Sequence, residues 1–294
     1  MDSYSIKPFL VHVHIYYVDM YEEIKASLLN ISKYKFDIFF TFVKDCPDIF
    51  EDIHKNFPSA HIEVVENLGF DVGPFIHVLN KVNLDDYSYI IKVHSKRSFK
   101  SGFLFNIQSG DRWRRSLLGF IHDESVFNRV LSNLENNPSI GMHGASNLIF
   151  NKYTEPKQTR KAFAEYLKEK NLPMLKYRFV AGTMFMVRAE LFKELVALNA
   201  TLRDFESPDL SHEGCQLAHI YERLFGYFVF SHKMQIVDCT NNILLSKFLY
   251  FMYNLFRIVS PYILTVRVTR RNKLLIKFLK IPVFSMSLNK EKNL

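Results

Sequence analysis

Apolar residues recur along this chain at two alternating periods. Residues 10–17 (Leu-Val-His-Val-His-Ile-Tyr-Tyr) read as a β-strand, and then Met20, Ile24, Leu28 and Ile31 recur at helical spacing. Residues 37–43 predict a second strand and 48–57 a short helix ended by Pro58. A third strand follows at 61–65, and Pro74 suits the first turn of a helix that holds Phe75, Ile76, Val78 and Leu79. Residues 87–93 predict a fourth strand. Further along, helices are expected at 113–121, 124–136, 162–170, 190–198 and 214–225. Strands are expected at 140–142 and, as one long strand or a pair, at 177–187. Strands separated by helical segments imply an α/β domain with a mostly parallel sheet and right-handed crossovers. No internal repeat interrupts the pattern.

Composition adds little until charge is mapped. The chain has 294 residues, 48% of them hydrophobic and 23% charged, with 28 Phe, 15 Tyr and one Trp. That balance excludes a disordered, collagen-like or polytopic membrane protein. Cys46, Cys215 and Cys239 have no metal-ligand or disulfide spacing. No secretory signal is visible at the start, so a cytoplasmic location is expected. The formal net charge is +8, yet residues 243–294 hold ten Lys or Arg against one acid, Glu291, and residues 1–242 are close to neutral. The expected division is therefore an α/β domain over 1–242 and a basic, aromatic tail over 243–294. Lys247, Arg257 and Pro261 interrupt the tail's first apolar run, which argues against a spanning helix. The tail reads as a pair of amphipathic helices, the second over 273–280, lying at an anionic membrane surface. Its alternative is a helical subdomain packed on the main fold. Nucleic-acid binding ranks third, with no recognised RNA or DNA motif to support it.

Ligands of parallel α/β sheets bind beyond the carboxyl ends of the strands. Three loops there carry chemistry. In Glu66-Asn67-Leu68-Gly69-Phe70-Asp71-Val72-Gly73-Pro74, Gly69 and Gly73 permit close backbone approach and the following helix N-terminus favours phosphate. Asp71 either hydrogen-bonds a sugar hydroxyl or caps that helix. In His94-Ser95-Lys96-Arg97, cations stand where a leaving diphosphate would need them, and Trp113 and Arg114 follow in a second basic cluster. The alternative there is a solvated basic turn. In Ala181-Gly182-Thr183, small residues fit a backbone approached by an acceptor, or a tight bend. Glu213 opens the segment that leads to His219, Glu222 and Arg223. His219 and Glu222 share a helix face, and Glu222 is either a general base or the partner of Arg223.

Taken in order, these segments resemble the rhamnan synthesis F family of bacterial glycosyltransferases. The resemblance rests on His12-Val13-His14-Ile15-Tyr16, Glu66 to Phe75 with its GxDxGP core, Lys92-Val93-His94-Ser95-Lys96, Trp113-Arg114, Ala181 to Phe185, and Ala218 to Leu224. It covers about residues 8–240 and leaves the tail outside. Phe70 stands where the family often has a polar residue, and Glu213 where Asp is expected. The resemblance implies an inverting transferase that adds sugar, L-rhamnose from dTDP-L-rhamnose foremost, to a lipid-linked glycan acceptor. It also implies a GT-A-like nucleotide-sugar fold. In that fold Asp-x-Asp usually holds a divalent metal after the fourth strand. No such triplet occurs here, and His94-Ser95-Lys96 takes its place. Transfer is therefore expected to need no metal and no cofactor beyond the nucleotide-diphospho-sugar. The roles implied are Glu213 as base, Asp71 on a donor hydroxyl and Lys96, with Arg97 or Arg114, on the diphosphate. His14, Gly69, Gly73, His94, Trp113, Gly182, Thr183, His219, Glu222 and Arg223 are implied as substrate-binding. The rival reading is a non-catalytic scaffold with a degenerate transferase fold on the inner face of the membrane.

Overall fold

The computed structural model describes residues 8–97, 117–145, 148–151, 155, 157–208 and 216–239, and the backbone course of 264–268, 273–278 and 281–287. The chain divides into two compact units, Met1–Asn241 and Asn242–Leu294.

In the first unit the strands are β1 (Phe9–Ile15), β2 (Phe36–Phe42), β3 (His61–Val64), β4 (Tyr89–His94), β5 (Ile140–Gly144), β6 (Ile149–Asn151), β7 (Arg178–Val180), β8 (Phe185–Arg188) and β9 (Gln235–Asp238). The helices are α1 (Tyr21–Leu29), α2 (Pro47–Asn56), α3 (Val72–Leu79), α4 (Glu124–Asn136), α5 (Lys157–Glu169), the short α6 (Lys193–Val196) and α7 (Leu217–Ser231). Seven strands form one sheet in the order β3-β2-β1-β4-β8-β5-β9, and β6 and β7 form a separate antiparallel pair. β1, β2, β3 and β4 run parallel, as do β5 and β9, whereas β8 lies antiparallel to both its neighbours. The mostly parallel α/β architecture is the one the periodicities predict. The reading of 177–187 needs refinement: β7 and β8 belong to different sheets, separated by a turn over residues 181–184.

Both faces of the sheet are covered, so its central strands are wholly buried. The period-2 alternation of a strand sends Phe9, Val11, Val13 and Ile15 of β1 into one core layer with Ile24, Leu28, Phe127 and Leu134. Leu10 of β1 and Ile90 of β4 join the opposite layer, beneath α3, α5 and α7. On that second face apolar positions give way to polar ones toward the carboxyl ends. His12 and His14 follow Leu10, and Lys92 and His94 follow Ile90, all four buried. A hydrophobic sheet thus ends in a buried polar layer.

The second unit contains β10 (Leu264–Val268), β11 (Lys273–Phe278) and β12 (Ile281–Ser287) in one antiparallel sheet ordered β10-β11-β12. This corrects the helix expected over 273–280. Positions 274, 276 and 278 are apolar at every second residue, and the segment is too short for helical periodicity to outweigh that alternation. The tail's first apolar run, expected as the other helix of the pair, lies outside the described residues. Among the described residues no helix is long and apolar enough to cross a membrane.

Candidate functional site

A cleft of about 500 Å³ opens beyond the carboxyl ends of β1 and β4. His14, Asp71, His94, Lys96, Arg97, Gly182, Thr183, His219 and Glu222 line it, so five segments remote in sequence converge there. Trp113, Arg114 and Glu213 lie outside the described residues.

Asp71 enters from the turn before α3. It occupies the position of a capping residue, but its side chain makes no cap hydrogen bond. Instead Asp71 Oδ2 accepts from Lys92 Nζ and from the Thr183 hydroxyl. His94 Nε2 lies 3.7 Å away. Lys92 is fully buried in β4, and its ammonium also donates to Thr183 Oγ1 at 3.0 Å and to the Thr183 carbonyl at 3.1 Å. Burial alone would raise the Asp71 pKa, but His94, Lys92 and Thr183 together hold its carboxyl well below the usual range. Lys92 is shifted down by burial, with Asp71 opposing.

His94 Nε2 bonds the Gly182 carbonyl at 2.8 Å. A carbonyl only accepts, so Nε2 carries the hydrogen and the neutral ring leaves Nδ1 bare. Burial is the main cause that lowers the His94 pKa to about 4 and the His14 pKa to about 3, with Asp71 opposing in each. Both rings are neutral at pH 7. His12 Nε2 and His14 Nδ1 share Thr41 Oγ1, at 2.9 and 3.0 Å.

The turn after β7 is held at every polar group of two residues. Gly182 N donates to Glu222 Oε1 at 3.1 Å and Thr183 N to the Val180 carbonyl at 3.1 Å. The Gly182 carbonyl accepts from His94, the Thr183 carbonyl accepts from Lys92, and the Thr183 hydroxyl donates to Asp71. These restraints fix a left-handed backbone, φ +85° at Gly182 and +51° at Thr183. A non-glycine residue there stores strain that the surroundings must hold. A Cβ on Gly182 would also sit 2.8 Å from Leu117 Cδ2.

Glu222 is committed a second time, to the Arg223 guanidinium. Arg223 does not line the cleft. It sits behind it, between Glu222 and the buried Glu155, over the Phe179 ring at 4.4 Å. His219 does line the cleft, its pKa lowered chiefly by burial and its ring edge-on to Phe70. Gly69 and Gly73 do not line the cleft; they shape the loop behind it. Gly69 has φ +68°, and a Cβ there would fall 2.7 Å from Phe205. Gly73 stands in the first turn of α3 and donates to the Gly69 carbonyl. Lys96 and Arg97 stand at the mouth, with Arg97 paired to Asp19 at 2.9 Å.

Reading loops alone misses Tyr16, Tyr17 and Pro208 on the cleft wall and Lys92, which is buried behind it and bonds Asp71. Strand parity marks Lys92: it shares a face with Ile90 and His94, as His12 and His14 share one with Leu10. Among the described residues no group of three or more His, Cys, Asp or Glu is arranged to hold a metal ion.

Among known proteins, the uncharacterized protein WxcX of two Xanthomonas campestris pv. campestris strains, B100 and ATCC 33913, is 24% identical to this chain over 235 residues. The alignment covers 78% of this chain and 33% of WxcX, so the chain spans about a third of the length of these curated relatives. Among solved structures, Staphylococcus aureus TarS 1-349 is similar at 10% identity and a TM-score of 0.40, over 86% of this chain and 66% of that one. A candidate nucleotide-diphospho-sugar transferase from Desulfovibrio desulfuricans G20 is similar at 9% identity and a TM-score of 0.36, over 79% of each chain. The family model of rhamnan synthesis protein F matches residues 2–234, a span that holds every described residue of the cleft, and this chain belongs to that family.

Proposed function

We propose that this chain is an inverting glycosyltransferase with a GT-A-like nucleotide-sugar site. It transfers a sugar, L-rhamnose from dTDP-L-rhamnose as the leading donor, to a lipid-linked glycan at the cytoplasmic face of the membrane. One observation carries the reading. The cleft joins a deep layer of fixed hydrogen-bonding groups, Asp71, His94 and Thr183, to two consecutive cations at a strand end, Lys96 and Arg97. The deep layer suits a sugar's hydroxyls and the cations suit a diphosphate.

In the proposed step the acceptor hydroxyl oxygen attacks the anomeric carbon, and the bond from that carbon to the diphosphate oxygen breaks. The diphosphate leaves with the electron pair, stabilised by Lys96 and Arg97, and the hydroxyl proton passes to Glu213. Asp71 receives a donor hydroxyl at the carboxylate edge that Lys92 and Thr183 leave open. Glu222 is already engaged by the Gly182 N–H and by Arg223, so the proton is assigned to Glu213. Since Asp71 and Glu222 are each tied to a protein cation, the reading includes transfer without a divalent metal.

The test uses the full chain with radiolabelled dTDP-L-rhamnose and a lipid-linked acceptor. Lys96→Ala is expected to lower the rate by about 10²- to 10³-fold, the scale of one lost charge-stabilising group. Glu213→Gln should lose turnover while keeping donor binding. Near wild-type transfer by both variants would overturn the site. Loss of activity in EDTA, restored by Mn²⁺, would overturn the metal-free step.

A further inference from the structure

Two buried histidines of β1 share one threonine hydroxyl of β2. Thr41 stands opposite His14 in the strand register and is fully buried. Its Oγ1 lies 2.9 Å from His12 Nε2 and 3.0 Å from His14 Nδ1. A hydroxyl has one hydrogen, so it donates to one of these rings and accepts from the other. Burial keeps both rings neutral, with one N–H each, and two arrangements then satisfy both contacts.

In the first, His12 Nε2–H donates to Thr41 and Thr41 donates to His14 Nδ1. In the second, His14 Nδ1–H donates to Thr41 and Thr41 donates to His12 Nε2. The second puts the His12 hydrogen on Nδ1, which is buried with no hydrogen-bond partner. An orphaned N–H is rare in a protein interior, because it leaves a donor stripped of water. The first arrangement leaves only a lone pair there. It also places both hydrogens on Nε2, the intrinsically favoured form of a neutral histidine. The remaining polar group of His14 is therefore Nε2–H, and His14 lines the cleft.

β4 supplies the opposite polarity. His94 is register-paired with His14, on strands about 4.8 Å apart. Its Nε2–H is committed to the Gly182 carbonyl at 2.8 Å, which leaves Nδ1 as an acceptor. Unlike His12 Nδ1, neither His14 Nε2 nor His94 Nδ1 is an enclosed atom without a partner, and both rings line the cleft. Two neutral rings side by side thus offer one N–H and one lone pair. A hydroxyl answers both, since it accepts through oxygen and donates through hydrogen. A phosphate oxygen satisfies His14 alone, and a methyl group satisfies neither.

We infer that His14 and His94 form a donor–acceptor pair that recognises a hydroxyl of the transferred sugar, with Thr41 and His12 as positioning residues that fix the polarity of His14. The identity of the ligand rests on the transferase reading. The polarity of the two rings stands on the protein alone.

Nitrogen-15 NMR of the full chain at pH 7 reads that polarity, because a ring nitrogen that carries hydrogen differs in shift from a bare one. His14→Gln and His94→Gln assign the signals. Hydrogen is expected on Nε2 of both rings, with both Nδ1 atoms bare. In Thr41→Val the His14 Nδ1 signal should move to that of an unbonded ring nitrogen, and Thr41→Ser should restore it. Hydrogen on His14 Nδ1, or on both nitrogens of either ring, overturns the pair. Calorimetry with dTDP and dTDP-L-rhamnose then tests the ligand. His14→Phe removes the donor and should weaken dTDP-L-rhamnose relative to dTDP by about 5- to 150-fold, the range for a polar group left unpaired. His14→Gln sets an amide near the place of Nε2 and should recover most of that loss. Equal weakening of both ligands in His14→Phe, or no change in either, overturns recognition of the sugar while leaving the diphosphate site standing. Wild-type protein that binds neither ligand overturns the transferase reading and the sugar assignment with it, and the NMR still decides the polarity.

Discussion

Asp71 shows how one residue's role follows from its partners. A carboxylate just before a helix ordinarily turns back to cap it, yet here the cap is left unmade and the side chain reaches across to β4. Lys92 explains the exchange. An ammonium fully enclosed in a sheet is costly to hold without an anion, and Asp71 is the anion within reach. The pair therefore behaves as one unit. Lys92→Met removes one partner and is expected to cost about 3–5 kcal/mol of unfolding free energy, because the Asp71 charge stays behind. The double variant Lys92→Met/Asp71→Asn leaves no unpaired charge and should recover most of that loss. Urea unfolding of both variants checks this. A Lys92→Met protein within about 1 kcal/mol of wild type would show that the buried pair is not coupled.

At the scale of elements, β1 and β4 carry a pH response. His12, His14 and His94 are buried on one face of this strand pair, and burial depresses all three below the ordinary histidine value of 6.5. The sign follows from proton uptake. The unfolded chain binds protons as pH falls through 6.5, while the folded chain resists until about 4 at His94 and about 3 at His14. Stability is therefore fully present above pH 6.5 and is lost on acidification. By pH 5 the loss is about 2 kcal/mol for His94 and for His14, and His12 adds to it in the same direction. Unfolding free energy measured from pH 8 to 4.5 should be flat at the alkaline end and fall steeply below 6.5, and His94→Gln should flatten the slope by one proton. A profile without a slope between pH 6.5 and 5 would mean that these rings are protonated in the folded protein. The same two strands also show what can be read from sequence. β1 and β4 are legible because their side chains alternate and turn signals bound them. The loops after them, with His94, Lys96 and Asp71, are legible because parallel sheets bind ligands at that end. Lys92 is hidden because lysine within a strand suggests an exposed face, and only its burial reveals Asp71 as its partner. β8 is hidden for another reason. Nothing local to Phe185–Arg188 says that it inserts antiparallel between β4 and β5, since that pairing depends on residues more than 40 positions away. β11 is ambiguous in the sequence because a short basic and apolar segment fits helix and strand patterns alike.

Across the whole molecule, charge is divided between two units rather than spread. Residues 243–294 carry ten of the 38 basic residues and one of the 30 acidic ones. The transferase reading gives that excess a purpose, because a lipid-linked acceptor is confined to a surface whose cytoplasmic leaflet is anionic. Strands at 264–268, 273–278 and 281–287, in place of the helix expected over 273–280, change the form of such an attachment but not its charge. Each Lys or Arg near an anionic bilayer contributes about 1 kcal/mol, and salt screens the attraction over a Debye length of about 10 Å at 0.1 M. The full chain should therefore sediment with vesicles containing phosphatidylserine at 0.1 M salt and be released at 0.5 M, while vesicles of phosphatidylcholine alone retain little. Replacing Arg267, Arg270, Arg271 and Lys273 with Gln removes four charges and should shift release to lower salt without changing dTDP binding. Equal retention on neutral and anionic vesicles, or release indifferent to those four charges, would leave the basic excess without a membrane role. The cleft beyond β1 and β4 would be unaffected by that result, because the residues that line it carry their own cations.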